Sequence, residues 1–335
     1  MTLGFLLWSY TRMDDISGRN SPVLELSSRE RVLRAVARQP LDRPPMGELC
    51  IDDALVGSVL GRTEVGFSCR REFLEILGLD LICLPPPSMS IEDLMSDRPP
   101  PAPSEWIDLE RWRTESGAFV FAMLNGGFFW ANVAMGFQDF MIALYRGDES
   151  VKTIFRKAAG VNARLARSAV ERGAQACLLA DDIAYNGGTY VPVSMMDDRY
   201  FPSIGSLLGE MKELGVPVFF HSDGDLRNVL HAIVGAGFAG LQGLEEAAGM
   251  DLAAVKQEYG PQICLWGNLD PMHLVHSTDR EEIERQVRRV MTAGAPGGGF
   301  IFATSSGLFA QMRHESVRWA YEAARQFCRG GSSRA

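Results

Sequence analysis

The chain has only six cysteines among its 335 residues, and none stand in a C-x-x-C pair. That excludes both a disulfide framework and a zinc ribbon, and leaves reduced thiols in a cytoplasmic setting as the expectation. Basic residues are outnumbered: 33 Lys and Arg face 42 Asp and Glu, for a net charge of -9. With no basic stripe to neutralise phosphates, a nucleic-acid partner is excluded. No apolar run reaches the length of a bilayer span; the longest near the start, residues 3–10, is about half of one, so no membrane association is expected. No G-x-G-x-x-G follows a first strand and no G-x-x-x-x-G-K-[ST] occurs, so dinucleotide and P-loop nucleotide sites have no support.

What is present is an alternation of buried strands and helices. Ser27-Ser28-Arg29-Glu30 supplies a hydroxyl cap and an acidic first turn, which predicts a helix running to about Gln39. Pro44-Pro45 then forbids helix and leads into a short buried strand ending near Ile51, with Glu48 in or at the rim of a core. Residues 85–105 are too proline-rich for regular structure, and residues 118–135 read as a buried strand and turn broken at Gly126-Gly127. From residue 149 the period is regular: a helix to Arg172, then apolar runs at 176–180, 218–220, 239–241, 263–266 and 300–303, each followed by a helix. Strands hydrophobic throughout imply a parallel sheet covered by helices. The expected organisation is a short extension over residues 1–26 and one α/β domain over 27–330.

Each strand ends in polar residues, where parallel α/β proteins keep their chemistry. His221 and Asp223 are two apart, so on an extended strand they face the same side and suit one ion. Glu245, ending the next strand, is a candidate third ligand, with Glu246 its confounder. Asp181 and Asp182 close the preceding strand, Asp181 as a candidate substrate contact and Asp182 as a candidate acid, or both as loop caps. Glu48 needs a metal or hydrogen-bond partner if buried. Asn268 is a candidate substrate contact or, with Asp270, part of an Asx turn before Pro271, and Trp130 in the Phe128-Phe129-Trp130 cluster is a candidate pocket wall or simply core.

Four stretches resemble one known family: Ser28-Arg29-Glu30-Arg31-Val32 with Asp42-Arg43-Pro44-Pro45, then residues 215–224 (GVPVFFHSDG), 248–252 (AGMDL) and 295–300 (APGGGF). They are similar to the uroporphyrinogen decarboxylase superfamily, and within it to the corrinoid-linked methyltransferases. The resemblance implies a (β/α)8 TIM barrel. It also implies either decarboxylation of a porphyrinogen or methyl transfer between a small substrate and the cobalt of a corrinoid protein. Decarboxylases of the family carry an arginine-rich stretch after the first strand, where this chain reads Gly47-Glu48-Leu49-Cys50-Ile51-Asp52-Asp53, which is acidic. The thiol methyltransferases of the family bind zinc through an H-x-C pair and a distant Cys. Here His221 and Asp223 occupy the pair, and Ser305 or Ser306 falls where the last Cys would be. Oxygen in place of sulfur still suits Zn2+ and favours an ether or alcohol oxygen over a thiol, as in an O-demethylase.

The leading expectation is therefore a zinc enzyme that takes a methyl group from a small methylated substrate, such as an aryl methyl ether. Asp182 or Glu48 would supply the proton, and the zinc ligands would be His221, Asp223 and Glu245. No corrinoid-binding D-x-H-x-x-G motif occurs, so the corrinoid would arrive on a partner protein. The alternatives are a metal-free decarboxylase using Asp182 or Asp223, and a noncatalytic barrel that docks a corrinoid protein.

Overall fold

A computed structural model describes residues 25–96 and 104–330. The expected extension over residues 1–26 therefore lies outside the described residues apart from its last two. Seven parallel strands form one curled sheet: β1 (Leu81–Leu84), β2 (Phe119–Asn125), β3 (Ala176–Ala180), β6 (Val218–Ser222), β7 (Gly240–Gly243), β8 (Cys264–Leu269) and β9 (Phe300–Thr304), in that spatial order. A small antiparallel hairpin, β4 (Ala184–Tyr185) with β5 (Gly188–Thr189), follows β3. Helices pack outside the sheet, among them Glu149–Arg172, whose buried Val, Ile, Phe, Leu and Ala positions recur at helical spacing.

The stretch expected as a first strand, residues 45–51, is not one. It makes two isolated parallel bridges, Met46 to Phe302 and Ile51 to Leu308. Met46 O accepts from Asp80 N, so this backbone lies in the gap between β9 and the start of β1. Pro44 and Pro45 have no N–H to donate to a ladder, which explains why the gap holds an irregular segment. The fold is accordingly α/β and barrel-like, with seven regular strands.

Two further expectations are corrected. The proline-rich stretch holds a short helix, Ile91–Met95, nucleated by the capping box of Ser90 and Asp93, and a 3-10 turn at Ser104–Trp106. After β2, Gly126-Gly127 opens the helix Gly127–Met135 instead of a turn. The glycine serves close approach, since a Cβ on Gly126 would fall 2.2 Å from the Asp181 carboxyl.

The inside of the curled sheet is filled by Phe121, Phe219 and Trp266, with ring centroids 5.0 to 5.9 Å apart. Gly240 on β7 makes room for Phe219, because a Cβ there would come within 2.0 Å of the ring. These rings plug the interior one layer below His221, which stands in register with Ala180 on one side and Gln242 on the other. At the opposite end, Asp80 is 1% exposed and takes Arg31 and Arg43 at 2.6 Å each, plus Met46 N and Ser28 Oγ. The Ser28–Val32 and Asp42–Pro45 motifs thus form a buried ionic clamp at the N-terminal ends of the strands, remote from the polar strand ends. No described helix is long and apolar enough to cross a membrane.

Candidate functional site

The C-terminal ends of β1, β2, β3 and β6 open into a cavity of about 940 Å³. His221 lines it, with its side chain 8% exposed. Its Nε2 lies 3.8 Å from Asp182 Oδ1 and 4.0 Å from Asp223 Oδ1. Among the described residues, Asp182, His221 and Asp223 bring one ligand atom each to within 4.8 Å of one another. Two carboxylates and an imidazole are a donor set that Zn2+ accepts, with room left in its coordination for substrate. The strands create the cluster: Ala180 pairs with His221, so the residues two further on, Asp182 and Asp223, come level just beyond the sheet, and Asp182 Oδ1 accepts from Asp223 N at 3.0 Å. Burial pushes the Asp223 carboxyl above its ordinary range; His221 opposes the shift, while Asp182 and Glu245 add to it.

Glu245, expected as the third ligand, is placed otherwise. Its Oε2 accepts from Gly224 N at 3.1 Å, so it braces the loop after β6, and Asp182 stands in the cluster. Glu48, expected as an acid, borders the cavity but is 1% exposed and fully engaged. Thr304 N and Oγ1 donate to it at 2.8 and 2.7 Å and Tyr321 donates its hydroxyl, which fastens the irregular 45–51 segment to β9. Desolvation raises its pKa against those three bonds.

Asp181 points away from Asp182, as alternation along an extended chain requires. It is 1% exposed and accepts from Phe128 N (3.0 Å), Phe129 N (2.8 Å) and Tyr200 Oη (2.6 Å). It therefore caps the Gly127–Met135 helix from a distant strand, occupying the helix N-terminus where a substrate anion would otherwise fit. Burial lifts its pKa to about 6 despite the hydrogen bonds.

Trp130 is 4% exposed and packs in the outer core, whereas Phe128 and Phe129 line the cavity. Once the segment is helical, each residue steps about 100° around the axis, so the arc that meets the cavity takes Phe128 and Phe129 and leaves Trp130 to the core. Asn268 donates its Nδ2 to Leu244 O and borders a separate hollow beside Met250 and Arg289, so it does not meet the main cavity. Asp270 accepts from Met272 N at 2.8 Å, capping the next helix.

Sequence reasoning missed Cys50, Cys83 and Tyr190, which line the cavity. Cys50 gives its thiol to Ser306 O at 3.5 Å, and burial beside Glu48, Asp52 and Asp223 pushes it up to about 12. Tyr190 stacks on Tyr185 of the hairpin, and burial with the nearby Asp182 and Asp223 raises its phenol. No motif marks these residues; they follow apolar or hairpin stretches with no spacing signal. Among the described residues the lining carries the carboxyl groups of Glu48, Asp52, Asp53, Glu105, Asp108, Asp181 and Asp182, against the guanidinium of Arg70.

A barrel-like parallel α/β fold with a polar cluster at its strand ends is the architecture of an enzyme of the TIM-barrel kind. The profile of the family "Uroporphyrinogen decarboxylase (URO-D)" matches residues 101–327. The chain belongs to the uroporphyrinogen decarboxylase family. It is 25% identical over 194 residues to a protein named uroporphyrinogen decarboxylase from Pelobacter propionicus, a match covering 56% of this chain and 52% of that one. It is 31% identical over 168 residues to one of the same name from Sodalis glossinidius, covering 49% of this chain and 45% of that one. The matched stretch thus spans about half the length of these relatives. A solved structure of a methyltransferase from Methanosarcina mazei shares the fold, with a TM-score of 0.72 at 16% identity over 90% of this chain and 99% of that one.

Proposed function

We propose that this protein is a methyltransferase that takes a methyl group from a small methylated donor, an aryl methyl ether being one form, and passes it to a corrinoid carried by a separate protein. The observation that carries the reading is the Asp182, His221 and Asp223 cluster at the rim of a cavity whose lining is acidic. The fold shared with the Methanosarcina mazei methyltransferase agrees with it. The donor set fits zinc: His221 offers Nε2, and Asp182 and Asp223 offer oxygens from two adjacent strand ends. Zinc bound there supplies Lewis acidity at the heteroatom that loses the methyl group.

The chain's own residues do the rest. Phe128 and Phe129 form an apolar wall that keeps water from the methyl group, and Asp181 sets the position of that wall through the helix N-terminus. With Asp182 in the ligand cluster and Glu48 sealed by three hydrogen bonds, the leaving group's proton comes from water at the open rim. A cytoplasmic setting belongs to the same reading.

Decarboxylation of a porphyrinogen, the activity in the curated relatives' name, fits this lining less well. A polycarboxylate needs unpaired arginines, yet among the described residues the one arginine in the cavity wall, Arg70, is held bidentate by Asp53 at 2.8 and 2.7 Å. The test is zinc analysis of the purified protein together with an assay using a reduced corrinoid protein and a panel of methylated donors. Near one zinc per chain and methylation of the corrinoid are expected. Decarboxylation of uroporphyrinogen by a zinc-free protein, or efficient methylation of a free thiol instead of the corrinoid, overturns the reading.

A further inference from the structure

We propose that the donor taken by this cavity carries an ammonium group and no carboxylate: an organic cation such as a methoxylated aromatic amine. This rests on the cavity being the donor site, as above. Three carboxylates in its wall, Asp52, Glu105 and Asp182, have no Lys or Arg partner among the described residues. Among the described residues, the Asp52 carboxylate accepts only from Ala310 N at 3.1 Å. Glu105 accepts from Ser88 N at 2.8 Å and from Ser104 Oγ at 3.3 Å. With a dication held by Asp182, His221 and Asp223, Asp52 and Glu105 still leave the wall negative. Arg70, the obvious anchor for a substrate carboxylate, is consumed by Asp53.

The rest of the wall is aromatic. Phe129 is 41% and Phe137 50% exposed at the cavity, and Phe137 meets the edge of Tyr190 at 5.1 Å. Ring faces beside carboxylates attract ammonium groups and repel carboxylates. An anionic donor would leave these groups uncompensated and add like charge.

The test compares three ligands that share one methyl ether and differ in the charge of a second group: 4-methoxybenzylammonium, 4-methoxybenzyl alcohol and 4-methoxybenzoate. Titration calorimetry at pH 7 on the zinc-loaded full chain should give an ammonium ligand at least about tenfold tighter than the alcohol, and the benzoate weakest. The gap should narrow in high salt and in the double variant Asp52→Asn with Glu105→Gln. Equal binding of all three, tighter binding of the benzoate, or no binding by any overturns the inference. The methyltransferase reading is separable: methyl transfer from none of the ligands that bind sinks that reading and leaves the charge preference, while preferential demethylation of the benzoate does the reverse.

Discussion

Replacing Asp181 by Asn should change how stability responds to pH, and the structure sets both sign and size. The carboxyl is 1% exposed, and burial raises its pKa from 3.8 to about 6, overcoming the bonds from Phe128 N, Phe129 N and Tyr200 Oη. A carboxyl whose folded pKa is raised binds its proton more tightly in the folded state. Its contribution is therefore full below about pH 4 and is lost as pH rises through 6. A shift of about two units corresponds to about 3 kcal/mol. Asp181→Asn removes the titration and adds a roughly constant cost of about 1–3 kcal/mol, because the amide NH2 must face one of the two helix N–H groups. Urea unfolding followed by tryptophan fluorescence, on both proteins from pH 4.5 to 8, isolates the effect, since the other carboxylates cancel in the difference. The stability of the native protein over the variant should shrink by most of that 3 kcal/mol between pH 4.5 and 7.5. A difference that stays flat, or grows with pH, would show that the three hydrogen bonds outweigh burial and that Asp181 is ionised throughout.

Three further outcomes follow from the geometry. Asp80→Ala should destabilise the protein by about 3 kcal/mol in the same unfolding assay while zinc content is unchanged, because it takes the carboxylate from Arg43 and leaves Arg31 with Asp42 alone, at the end of the sheet away from the cavity. His221→Ala should weaken zinc binding by more than about 100-fold, beyond what loss of a merely orienting neighbour causes; a folded variant that keeps stoichiometric zinc removes His221 from the ligands. Asp223→Cys should keep zinc, which accepts thiolate readily, yet lower ether demethylation because the metal becomes a weaker Lewis acid; unchanged affinity and rate together would place the site elsewhere.

The part of the site that periodicity could deliver is the part carried by β6. A strand buried on both faces announces itself as a continuous apolar run, and a two-residue step from His221 to Asp223 needs only an extended backbone to be informative. The partner carboxylate was harder, because alternation separates Asp181 from Asp182 without saying which of them joins His221. That choice is made by the register of β3 against β6, a long-range fact with no local trace. The register of β3 against β2 likewise decides the Phe128-Phe129-Trp130 cluster. Gly126-Gly127 looks like a break until Asp181, 53 residues beyond Phe128, is placed over the two amides. The segment then becomes a helix, Phe129 turns to the cavity and Trp130 to the core. Glu48 shows the converse. A buried carboxylate has to be satisfied, and satisfying it here consumed both oxygens, so the physical argument that flagged Glu48 also removes it from the chemistry. In this cavity Asp52 and Glu105 have no Lys or Arg partner among the described residues, and with Asp182 given to the metal cluster it is their charge that the choice of donor must answer.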